Sequence, residues 1–161
     1  TPLVMAKSGH LSSLHQLLVG RVAGSAGETS AVAIVIGGAF LLLVGVANWR
    51  TVVGVLASFI GLNLLLRAAA PAHTMPVLFN LLSGGLLFGA FFMATDPVTS
   101  PVTQWGKWSY GILIGVATIL IRTFSVYVEG VMFAILLGNI AAPLIDQTVI
   151  RYRSRGYRSD V

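Results

Sequence analysis

The 161-residue chain is 56% hydrophobic and only 9% charged, with a net charge of +5 and no cysteine. Soluble domains carry about 25% charged residues, so the composition points to a membrane protein; the missing cysteines exclude a disulfide framework, a Cys-ligated iron–sulfur cluster and a thiolate zinc site. The positive balance does not imply a nucleic-acid partner, because Arg151, Arg153, Arg155 and Arg158 cluster in the tail and the other basic residues lie at the ends of apolar stretches, where they set membrane orientation.

Residues 1–9, TPLVMAKSG, contain no initiator Met and no basic segment leading into an apolar run, so they are not a signal peptide. They read as the start of a fragment, or of a mature chain whose upstream part is missing. His10 to Val22 places Leu11, Leu14, Leu17 and Leu18 on one helical face. This segment is too short and polar to span, and reads as a short interfacial or re-entrant helix. In VGRVAGSAGETS, Gly20, Gly24 and Gly27 make a flexible loop, and Glu28-Thr29-Ser30 begins a helix with a capping hydroxyl. Such a loop is either a backbone nest for an anionic or flat ligand or a connector that lets two helices approach closely.

Five apolar stretches follow, predicting an all-α membrane protein with five transmembrane helices. Ser30–Trp49 is long enough for a hydrocarbon core of about 30 Å. Arg50 and Thr51 are read as a tight turn before Val52–Leu66. Met75–Thr95 contains Asn80, Ser83, Gly84, Gly85 and Gly89; Trp108–Phe124 contains Gly111 and Gly115; Tyr127–Ile145 is interrupted by Gly138, Asn139 and Pro143. The small residues suit close helix packing in lipid, and the interruptions equally match broken helices around a midplane site. Between the third and fourth stretches, Asp96-Pro97 and Ser100-Pro101 cannot continue a helix. The arginine-rich tail is expected on the cytoplasmic side. Five crossings then place Arg50 and the 96–107 loop inside, and everything before Ser30 outside. The implied organisation is an entry segment at 1–29, a five-helix domain at 30–146 and a basic cytoplasmic tail at 147–161.

Glu28, Asp96, Glu129 and Asp146 lie at the ends of stretches and Asp160 lies in the tail, so paired carboxylates for a proton relay have no support. Helix-end caps and partners for nearby bases are the commoner use of such acids. His10, His15 and His73 lack metal-ligand spacing, and no Walker A loop, dinucleotide fingerprint or nucleophile elbow is present. Trp49, Trp105, Trp108, Tyr110 and Tyr127 fit an aromatic belt. Asn63, Asn80 and Asn139 either bind a polar ligand or, more commonly, hydrogen-bond between helices.

Residues 83–111, SGGLLFGAFFMATDPVTSPVTQWGKWSYG, resemble the family that holds the D subunit of the Rnf electron-transport complex and the B subunit of the sodium-pumping NADH:quinone oxidoreductase. GSAGETSAVAIVIGG (24–38) and EGVMFAILLGNIAAPLID (129–146) extend the resemblance in the expected order. The runs at 96–101 and 140–143 lean toward the Rnf D subunit, and Gly106-Lys107-Trp108 toward the quinone reductase. The family resemblance implies FMN attached through its phosphate to a threonine in a Ser-Gly-Ala-Thr motif followed by Pro-Leu. Thr1-Pro2-Leu3 resembles the end of that motif, which makes Thr1 the attachment candidate. Gly24, Ser25, Gly27, Glu28 and Thr29 become candidates for the flavin surroundings. The resemblance also implies one half of a urea-channel-like inverted or tandem repeat fold. It implies electron relay in an ion-translocating complex of the bacterial or archaeal inner membrane, linked to ferredoxin or NADH. Other membrane subunits, a periplasmic-facing flavoprotein and a flavin transferase for maturation would be its partners. Two rivals are a flavin-free channel or permease for a small polar solute on the same architecture, and a purely structural assembly component.

Overall fold

A computed structural model of the chain describes residues 2–7, 13–22, 24, 29–69, 71, 74–125, 127 and 129–157. The regular structure among the described residues is entirely helical: α1 (Pro2–Lys7), α2 (Leu14–Val19), α3 (Ala31–Val44), α4 (Trp49–Ala69), α5 (Val77–Leu82), α6 (Leu86–Phe88), a π-helical segment (Gly89–Met93), α7 (Gln104–Phe124) and α8 (Val131–Tyr157). Two helices are long and apolar enough to cross a membrane among the described residues, within Trp49–Ala69 and Val131–Ser154. The shorter apolar helix α3 spans 14 residues, about 21 Å at 1.5 Å per residue.

Helix ends follow local chemistry. Ser13 opens α2 with a capping box: its hydroxyl accepts from Gln16 N while Gln16 Oε1 accepts from Ser13 N. The helix there is six residues, shorter than the 10–22 segment read from the sequence; residues 10–12 lie outside the described residues. Ser30 caps α3 as expected, accepting from Ala33 N, and its hydroxyl donates to Leu18 O at 3.1 Å, tying α2 to α3. The stretch Ser30–Trp49 is not one helix. Gly45 adopts φ 81°, and its N–H caps Leu41 and Leu42 carbonyls, so α3 ends there. Asn48 accepts from Arg50 N at 3.0 Å and helps open α4. Arg50 and Thr51 therefore lie in the first turn of α4, and the turn sits at 45–48 instead.

The core is organised on α7. Its buried residues fall at 106, 110, 111, 114, 115, 118, 119 and 122, a stripe with helical spacing. On one side Gly111 and Gly115 meet α4. A Cβ at Gly111 would stand 2.7 Å from Thr51 O and 3.1 Å from Gly54 Cα, so only glycine permits this backbone approach. Gly111 faces Thr51 and Gly54, and Gly115 faces Val55 and Phe59, so α4 and α7 run parallel. On the other side, Gly138 of α8 faces Tyr110 and Ile114, while Gly130 faces Ile121 and Thr118, so α8 runs antiparallel to α7. Tyr110 donates to Asn139 Oδ1 at 2.6 Å across that interface, the interhelical use expected of an asparagine. Pro143 does not end α8, which continues to Tyr157, so the segment expected as a separate tail from 147 is helical through Tyr157.

Two ends of α7 gather different elements. At its N-terminal end, Arg50 Nη1 donates to Gln104 Oε1 at 2.6 Å and Trp49 meets Trp108 edge to face at 5.7 Å. The Asp146 carboxylate accepts from Val102 N at 2.7 Å, from Thr103 N at 3.1 Å and from the Thr103 hydroxyl. At the C-terminal end lie α1, α2 and the α5–α6 junction, joined through Leu3, Leu17 and Phe79, which form a small core of their own. The entry segment and the outer part of α8 thus lie at opposite ends of a helix about 31 Å long.

Candidate functional site

The third apolar stretch is broken. Helix α5 stops after Leu82, Ser83 is extended (φ −93°, ψ 145°), Gly84 takes φ +70°, and Gly85 starts α6. A break inside an apolar bundle strands carbonyls and N–H groups, each costing about 1–3 kcal/mol if buried unpaired. Arg122 of α7 and Glu129 before α8 supply the partners. Arg122 Nη1 donates to Asn80 O at 2.6 Å and Asn80 Oδ1 at 2.9 Å, and Nη2 donates to Ser83 O at 3.3 Å. Its Nε donates to the Glu129 carbonyl at 2.9 Å. The Glu129 carboxylate accepts from Gly85 N at 2.8 Å. A cation therefore caps the carbonyl end of α5, and an anion caps the N–H that opens α6, each with the sign a helix end favours.

Arg122 is 5% exposed. Its guanidinium also lies over the Phe59 ring, 5.4 Å from the centroid. A buried charge is tolerated when its hydrogen bonds are filled and an opposite charge is near. Both conditions hold, since a Cβ built on Gly84 would stand 3.0 Å from Arg122 Nη2 and 2.9 Å from Glu129 Oε1. The same Cβ would meet Leu3 Cδ1 at 2.6 Å. Leu3 of α1, only 1% exposed, thus occupies the space that the missing side chain leaves at the break.

Of the candidate flavin residues, Thr1, Ser25, Gly27 and Glu28 lie outside the described residues, as do His10, His73 and Asp160. Gly24 is exposed and Thr29 half-buried, in the connection between α2 and α3. The Thr29 carbonyl is in the bend that Gly20 makes with φ 92°: a Cβ there would stand 3.1 Å from it. What the structure brings to the break from the entry segment is α1 and α2, through Leu3 and Leu17. Helix α1 is not among the elements expected from the sequence; Pro2, preset for the first helical position, is its signal. In the sequence Arg122 reads as a charge near the end of a stretch and Glu129 as an end cap. A basic residue inside an apolar stretch, followed seven positions on by an acid, is the clue to their joint role.

The remaining acids among the described residues build loops. Asp96 accepts from Val98 N, Thr99 N and the Thr99 hydroxyl, which closes a turn, and Asp146 holds residues 102 and 103. No group of three metal-binding side chains occurs among the described residues. Three buried polar residues carry atoms with no hydrogen-bond partner among the described residues: Thr51 at Oγ1, Asn63 at both amide atoms and Ser83 at Oγ. Asn63 lies one helical turn beyond Phe59, on the face turned toward Arg122. An open cleft of about 450 Å³ opens between α2, α4 and α5, lined by Leu14, Leu64, Arg67, Val77 and Phe79 among others. Phe79 belongs both to this cleft and to the Leu3–Leu17 cluster.

Residues 1–155 match the model of the NQR2, RnfD, RnfE family. The chain belongs to this family. It is similar to the B subunit of the Na(+)-translocating NADH-quinone reductase of Ectopseudomonas mendocina, with 44% identity covering 94% of the chain and 40% of that protein. The protein of the same name from Azotobacter vinelandii is 50% identical over 80% of the chain and 33% of its own length. That from Klebsiella pneumoniae is 43% identical over 96% and 40%. The chain thus spans 33–40% of the length of these relatives. These relatives carry the quinone-reductase name, not the Rnf D name expected from the runs at 96–101 and 140–143.

Proposed function

We propose that the chain is part of the membrane-embedded B subunit of an ion-translocating NADH-quinone reductase, relaying electrons through FMN bound covalently at Thr1. The observation that carries this reading is the family relationship across residues 1–155, with Thr1-Pro2-Leu3 resembling the end of the family's attachment motif. In the whole protein this chain would form five crossings and one half of a repeat fold. The arginine-rich end of α8 would face the cytoplasm and the entry segment the opposite side. Exposed Ile36, Phe40 and Leu43 on α3 and Leu136, Ile140 and Leu144 on α8 support burial of these faces in lipid or against other subunits.

The described residues near the entry segment support this reading. The cleft beside Phe79 has the size and apolar lining of a small-molecule site, with Arg67 as the cation in its wall. Bound FMN would supply the redox chemistry, accepting electrons and passing them on. The chain's own part would be to hold the tether, line the ring with Leu14, Leu64 and Phe79, and offer positive charge from Arg67 to an electron-rich ring. A phosphoester to a threonine hydroxyl leaves the ring free for that chemistry. A periplasmic-facing flavoprotein would be the partner on that side, and a flavin transferase would make the bond.

The test is in-gel flavin fluorescence of the denatured full-length polypeptide, co-expressed with a flavin transferase. The wild type fluoresces and Thr1→Ala is dark. A dark wild type, with the transferase active on a control substrate, moves the flavin-free channel reading to first place. The buried amide of Asn63, unpartnered among the described residues, is the observation that favours that rival.

A further inference from the structure

We propose that the break between α5 and α6 is the seat that fixes the flavin-bearing segment, with Gly84, Arg122 and Glu129 acting as positioning residues. The inference rests on the reading that FMN is attached at Thr1. A tether holds one end of a flavin and leaves the rest free to swing, so orientation must come from how the tethered segment packs. Thr1 is two residues of chain from Leu3, a reach of at most about 7 Å. Leu3 is the residue through which α1 reaches the break, and it fills the place of a Gly84 side chain.

The seat is built from three features that depend on one another. Gly84 supplies the left-handed turn and the missing Cβ, which no other residue does without strain. Arg122 and Glu129 hold the two sides of the break, through Asn80 and Ser83 on one side and Gly85 on the other. Leu17 and Phe79 then close around Leu3, with exposures of 0% and 3%. Any shift of the break carries Leu3, and with it the attachment point. Arg122 and Glu129 act by position, through the break that seats Leu3.

The experiment uses the purified full-length protein in nanodiscs, loaded by the transferase, with Leu3→Ala, Gly84→Ala, the double variant and Arg50→Gln as a control at the other end of α7. Attachment is read from the fluorescent band after denaturation. Seating is read from iodide quenching and anisotropy of the flavin in the folded protein. The expected result is a full band in every variant, with severalfold stronger quenching and lower anisotropy for Leu3→Ala and Gly84→Ala, and no change for Arg50→Gln. Because trimming Leu3 removes the side chain that a Cβ at 84 would strike, the double variant should be less impaired than the sum of the singles. A full band with unchanged quenching in Leu3→Ala overturns the seat while leaving the attachment reading intact. A dark wild-type band overturns both. Should Gly84→Ala fail to fold, Leu3→Ala still decides, since it leaves the bracketing residues in place.

Discussion

Arg122 donates from Nε to the backbone carbonyl of Glu129 at 2.9 Å, closing the turn between α7 and α8 while the rest of its guanidinium spans a break in a third helix. One side chain thus joins α5, α7 and the start of α8. Its loss would leave the Asn80 and Ser83 carbonyls and the Glu129 carbonyl without this donor in a buried place.

Arg122→Gln should therefore cost about 3–5 kcal/mol of stability, the range for removing one member of a buried charged network. Arg122→Lys should recover little of it, because an ammonium cannot reproduce the planar fork that reaches four acceptors at once. Thermal unfolding of the detergent-solubilised protein reads both. Wild-type stability in Arg122→Gln would contradict the bracing role.

Glycines at the α4–α7 contact should respond by position. Gly111→Val must push against Thr51 O and Gly54 Cα, both backbone, and should abolish a monodisperse folded protein in size-exclusion chromatography. Gly61 meets nothing within 4 Å, and Gly61→Ala should stabilise α4 by up to about 1 kcal/mol from helix propensity. Equal behaviour of the two would rule out the close parallel packing.

Asn63 gives the reverse expectation to most buried polar residues. Its amide is fully buried and unpartnered among the described residues, so Asn63→Leu should leave stability unchanged or raise it by about 1 kcal/mol. A fall in the melting temperature would mean that the amide is satisfied in the assembled protein.

Asp146 holds the 102–103 backbone and the Thr103 hydroxyl, which in turn caps α7 at Gly106 N. Asp146→Asn should cost about 1.5–3 kcal/mol, the worth of hydrogen bonds to a charged group. Amide exchange at Val102 and Thr103 should speed up while exchange at Gly85 stays unchanged. Uniform acceleration along the chain would contradict a local role for this carboxylate.

Much of this arrangement is legible in the sequence because the relevant signals are local. Ser30 as a cap, the loop after Asp96 and the small residues of α7 each announce themselves within a few positions. The broken third stretch is written in Ser83-Gly84-Gly85. Less legible is where helices stop when a glycine competes with an apolar run: Gly45 ends α3 early, and Pro143 fails to end α8. Pro143 and Leu144 lie on the exposed side of α8, where the lost hydrogen bond and the ring are more easily accommodated. The seat at the break is not legible, because it joins Leu3, Gly84, Arg122 and Glu129 across more than a hundred positions. Periodicity shows which residues face inward and cannot show which of them meet. The family resemblance is carried by rare local strings such as FMATDPVTSP, and the family match extends over residues 1–155.

The most direct test of the central claim is mass spectrometry of the full-length protein, matured with its flavin transferase and digested with trypsin. The account predicts that the peptide ending at Lys7 carries the mass of FMN less one water, with fragmentation placing it on Thr1. An unmodified peptide, from protein whose transferase labels a control substrate, would contradict the account.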